Sequence, residues 1–177
     1  MPVVGIINVP VFSNLTHIRA YNDIAIATIA IGLFFAIPLI TIIMHRLILH
    51  APLPDGLRPT IMIILAPFAV GYNSYVSTFG SDVFSHILYS LAFFFFAVLL
   101  RKIAYFIEIC AFRMAWWGIS FPLAAFASAS VRFALDYQTP WVGYAALAIL
   151  LFVTIVLTIF LYRTARGILR GELQQLI

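Results

Sequence analysis

Long apolar runs separated by short polar or basic stretches organise this chain. Five of them occupy 24–44, 59–79, 83–100, 114–131 and 141–162, each nearly free of charge. At helical rise each is long enough to cross a hydrocarbon core of about 30 Å. Helix is the assignment that satisfies every backbone hydrogen bond inside such a segment. His86, near the start of the third run, is the titratable exception. A shorter apolar stub, 1–12, is too short to span and lacks the basic leading region of a signal peptide. It reads as the end of a truncated helix, followed by a polar stretch with turn-forming Asn14 and Asn22. The pattern predicts an all-α integral membrane protein, a single transmembrane domain of five helices plus an N-terminal half-helix.

A repeat runs through these segments. Prolines stand inside apolar surroundings at Pro10, Pro67 and Pro122, separated by 57 and 55 residues. Each precedes a bulkier span, at 24–44, 83–100 and 141–162. The unit is a proline-kinked helix with small residues, a turn and a second helix, used three times with the first copy incomplete. Hairpins laid side by side follow from such a period, with the proline helices inside and the bulkier ones toward lipid. Helical spacing puts Gly118, Phe121, Ala125, Ser128 and Arg132 on one stripe of the fourth span. Phe121 is the one large side chain there. Pro67, Gly71 and Ser74 share a face of the second span. One reading of the fourth span is a bent helix lining a narrow conduit plugged by a ring; the other is a small-residue face packed on a neighbour.

Composition sharpens the class. The chain is 64% hydrophobic and 9% charged, which leaves too little polar surface to cover a water-soluble domain. The formal charge of +4 does not point to nucleic acid, because the basic residues sit at span ends. Eight of the ten (Arg46, Arg58, Arg101, Lys102, Arg113, Arg163, Arg166, Arg170) fall on one side, and Arg19 and Arg132 on the other. The positive-inside rule then places the C-terminus in the cytoplasm. One cysteine, Cys110, permits no internal disulfide. No nucleotide-binding glycine loop, HExxH, cysteine pair or intramembrane carboxylate pair is present, so neither enzyme activity, cofactor nor metal is expected.

The segment AWWGISFP at 115–122 resembles a segment of the plant slow-type anion channels. LRPTIMIILAPFAVGY at 57–72, with HAPLPDGLRPT before and into it, resembles the tellurite-resistance protein TehA and its relatives. That family includes dicarboxylate or malate transporters and sulfite exporters. The resemblance implies ten helices as five hairpins, an inner ring around a pore, and homotrimers in the inner membrane. It places a pore-blocking phenylalanine at Phe121. Two and a half hairpins do not close such a ring, so the missing N-terminal helices are expected from the same or a partner chain.

Small monovalent anions need a neutral, narrow passage, because strong cationic sites hold an ion instead of passing it. Gly71, Ser74, Gly118, Ala125 and Ser128 are the expected pore lining, with kinks at Pro10, Pro67 and Pro122. Arg132 either draws anions to the outer mouth, anchors the interface or pairs with Asp136. His86 reads as a structural hydrogen-bonding residue, and Trp116 and Trp117 as interfacial aromatics. Alternatives are a proton-coupled carrier or exporter of dicarboxylate, tellurite or sulfite, a non-conducting fragment, and a membrane enzyme using His45, His50 and His86.

Overall fold

The computed structural model describes residues 19–50, 55–109 and 114–170. Pro10, the stub, Cys110 and Arg113 lie outside them. Five helices among the described residues are long and apolar enough to cross a membrane: Asp23–Leu49, Pro59–Phe79, Val83–Arg101, Trp116–Tyr137 and Pro140–Leu169. In backbone terms they are α1 (Arg19–Leu49), α2 (Leu65–Phe79), α3 (Val83–Ile109), α4 (Ser120–Tyr137) and α5 (Pro140–Leu169).

The proline helices are of two kinds end to end. A 3-10 segment, Asp55–Ile64, leads into α2, and a shorter one, Met114–Ile119, leads into α4. Pro67 and Pro122 are each the third residue of the α-helix that follows. Proline has no N–H and its ring crowds the carbonyl four residues back. The α pattern therefore cannot run backward through it, and the preceding turns take the tighter 3-10 form. In both units the proline stands in the same register just past a change from 3-10 to α turns. α1 also contains an internal proline, Pro38, which lipid-embedded helices tolerate.

Both of these hairpin turns begin with a residue of positive φ. Gly80 (φ 86°) closes α2, its N–H reaching the Val76 carbonyl at 3.0 Å, and Gln138 (φ 49°) closes α4 through the Ala134 carbonyl at 3.1 Å. Asp82 then caps α3: its Oδ1 accepts from the Ser85 N–H and its own N–H donates to Ser85 Oγ, both at 2.9 Å. Pro140 opens α5, where a missing N–H is harmless.

The core lies among α2, α3, α4 and α5. Leu65, Ala69, Phe96, Ile119, Leu123, Phe126, Val153 and Phe160 form its main cluster, and Tyr72, Val76, Leu88 and Ala129 a second. α2 and α4 pack directly on each other, and their 3-10 segments do the same. Buried fractions of the spans' apolar stretches grade from 50% for the second and 39% for the fourth, through 33% for the third, to 22% and 11% for the fifth and first. The proline helices are the interior ones. α1 is the peripheral one, held through Ile29, Ala36 and the contact of Leu33 with Gly71.

Candidate functional site: an open face on the proline helix

α4 is buried on one side and open on the other. Pro122, Leu123, Phe126, Ala127, Ala129 and Ser130 are buried. Gly118, Phe121, Ala124 and Ser128 are exposed, with Ala125 and Arg132 half-buried between them. Phe121 keeps 43% of its surface free, whereas Phe126, a turn and a half away, keeps none. From Gly118 to Ser128 the stripe read from helical spacing is thus largely open, and its one bulky side chain is Phe121.

Gly71 and Ser74 are elsewhere. Both are buried. A Cβ on Gly71 would meet Leu33 of α1 at 3.5 Å and Leu88 of α3 at 3.9 Å. That face of α2 is turned to its neighbours in this chain, away from the open face that carries Ser128. Spacing identified the shared face but not its direction, because lipid and protein interior are both apolar.

Polar contacts stitch the edge of the open face to α2. Asn73 Nδ2 donates to the Ala125 carbonyl at 2.9 Å. Arg132 Nη1 donates to Ser77 Oγ and, at 3.5 Å, to the Asn73 carbonyl. Ser77 Oγ donates in turn to that carbonyl at 2.8 Å. These bonds fasten Arg132 across the helix seam. Sequence reasoning missed Asn73 and Ser77. Their signal was a pair of polar residues one turn apart within an apolar span, where an unsatisfied amide is costly. Among the described residues Asn73 Oδ1 is buried without a hydrogen-bond partner.

The turn between α2 and α3 forms a second polar group. The Tyr75 hydroxyl donates to Asp82 Oδ2 at 2.7 Å. The Ser85 N–H and this hydroxyl hold the Asp82 carboxyl below its usual range. His86 lies 3.5 Å from Ser81 Oγ and sets its ring against Phe133 and Tyr137. At the opposite end, Trp116 is buried against Phe160 and Trp117 Nε1 donates to Thr164 Oγ1 at 2.9 Å. These tryptophans tie the 3-10 segment to the C-terminal end of α5. The exposed rings of His45 and His50 meet at 5.3 Å. Among the described residues no group of three His, Cys, Asp or Glu could hold a metal ion.

Comparison with known proteins follows the same outline. An S-type anion channel of Arabidopsis thaliana, SLAH1, is 30% identical over 86% of this chain and 41% of its own length. Two uncharacterized transporters of Methanocaldococcus jannaschii, MJ0576 and MJ0762, are 22% and 23% identical over 97% and 98% of this chain. The chain spans about half the length of these archaeal relatives, 55% and 56%. No solved structure gives a significant match. Residues 1–165 match the SLAC1 family, described as voltage-dependent anion channel, and with nearly the whole chain covered, this protein belongs to that family.

Proposed function

We propose that this chain contributes half of a membrane pathway for small monovalent anions, with the open face of α4 as part of the lining and Phe121 as its gate. The observation that carries the reading is the exposure of Phe121 alone among small residues, on an interior helix whose other sides are packed. The names of the relatives, anion channels and transporters, agree with it. Gly118 and Ser128 leave room on either side of the ring, and Pro122 behind it keeps the backbone before it in 3-10 form. A lining of glycine, alanine and serine offers weak contacts, so selectivity follows the cost of stripping water. Nitrate and iodide then pass more readily than chloride.

The rest of the pathway is supplied by helices outside this chain, as the length of the relatives suggests, and the complete protein is a trimer in the inner membrane with its C-terminus cytoplasmic. Prolines 10, 67 and 122 set the repeat, and Arg132 biases the outer mouth toward anions while bracing the seam. Phe121→Ala in the complete protein is expected to raise anion conductance severalfold under voltage clamp. Currents equal to wild type would remove Phe121 from the gate. The relatives named as transporters make a carrier the second reading. A channel's reversal potential follows the anion gradient alone, whereas a proton-coupled carrier's shifts with the pH gradient.

A further inference from the structure

The last helix is longer than a bilayer requires, and its charges stand in register where it leaves. α5 has 30 residues, so it extends about 45 Å against a hydrocarbon core of about 30 Å. The exposed pair Trp141 and Tyr144, with ring centroids 6.4 Å apart, marks one interface. Exposed Tyr162 marks the other. Arg163, Arg166 and Arg170 then follow at spacings that put them on one stripe, all exposed. The first and last are separated by roughly 10 Å along the axis, comparable to the headgroup layer.

The other residues of these last three turns sort by side. Phe160 and Gly167 are buried, and Thr164 accepts from Trp117, so that face belongs to the protein. Ile159 and Ile155, both exposed, continue the arginine stripe one and two turns toward the membrane. Between 141 and 170 there is no acidic residue, and Glu172 is the first to follow. A basic stripe at headgroup depth beside bare aliphatic side chains matches a molecule with an anionic head and an acyl tail. Phosphatidylcholine carries its own cation and fits the stripe less well.

We propose that the end of α5 is a binding site for anionic phospholipid, in which Arg166 and Arg170 hold the headgroup and Ile159 and Ile155 lie along the acyl chain. The test uses the chain in phosphatidylcholine bilayers with trace spin-labelled phosphatidylglycerol or spin-labelled phosphatidylcholine, reading the motionally restricted fraction. Association with phosphatidylglycerol is expected to exceed that with phosphatidylcholine about two- to fivefold at low salt. The preference should fall toward unity at 1 M salt, where the Debye length is about 3 Å. Arg166→Gln with Arg170→Gln should abolish most of it. Arg46→Gln with Arg101→Gln, two other exposed arginines, should leave most of it. Three outcomes overturn the site: no preference in the unaltered chain, a preference surviving the 166/170 change, or equal losses from both pairs, which would mean diffuse charge.

Discussion

Asp82 is a single side chain with three duties. It accepts the Ser85 N–H, accepts the Tyr75 hydroxyl and begins α3, so it ties the end of α2 to the start of the next helix. Both donors favour the charged carboxylate, and its folded pKa lies below the usual value. A group depressed in this way contributes stability that is complete above its unfolded pKa of about 3.9. That contribution is lost as pH falls through the lower folded value. The thermal midpoint of the purified protein should therefore drop from pH 5 toward pH 3. Asp82→Asn should be less stable at neutral pH and show a flatter dependence across that window. An acid limb of unchanged steepness in Asp82→Asn would assign the loss to other carboxylates. A helix start at 83, one residue past Asp82, was legible in the sequence. Tyr75, seven residues earlier, was not, because its reach depends on how α2 turns back.

At the level of elements, the spans and their order were legible, and the helix type inside them was not. Hydropathy reports a length that is apolar, and 3-10 and α turns are equally apolar. The proline repeat was the better guide, since Pro67 and Pro122 occupy one register in two copies. Pro122→Ala restores a donor for the Gly118 carbonyl and relieves the ring clash. The α-helix should then grow back into Met114–Ile119. Six residues passing from about 2.0 to 1.5 Å rise shorten by roughly 3 Å and rotate the segment relative to Phe121. Spin labels on Leu135 and on Leu169, both exposed, with another on the 3-10 segment, would register the change as a shift in distance distribution. Distributions that superpose on those of the parent would mean the 3-10 turns are held by packing between the two segments and by the Trp117–Thr164 bond, not by proline. The helices α1, α3 and α5 also outrun their apolar runs, because charged turns at Arg46, Arg101 and Arg166 keep helical bonding beyond the lipid core.

For the whole molecule, the central question is what each open face meets. An exposed side chain in this chain faces lipid, water or a further helix, and area alone does not separate them. Chemistry does. α5 presents Leu147, Leu150, Leu151 and Ile155 in succession, a surface suited to acyl chains. The α4 face ends instead in Ser128 and Arg132, and the α2–α4 seam beside it is held by amide, hydroxyl and guanidinium contacts. Such groups are expensive in hydrocarbon and are found where a cavity hydrates them. A thiol reports the difference, because it reacts as thiolate and that form exists only in contact with water. With Cys110→Ser as background in the complete protein, Ser128→Cys should react with a small charged thiol reagent more than about tenfold faster than Leu151→Cys. Phe121→Ala should speed the Ser128→Cys reaction further when reagent enters from the side of the ring opposite Ser128. Equal, slow reaction at both positions would place the α4 stripe against lipid or a dry helix interface, and the anion pathway would have to lie elsewhere.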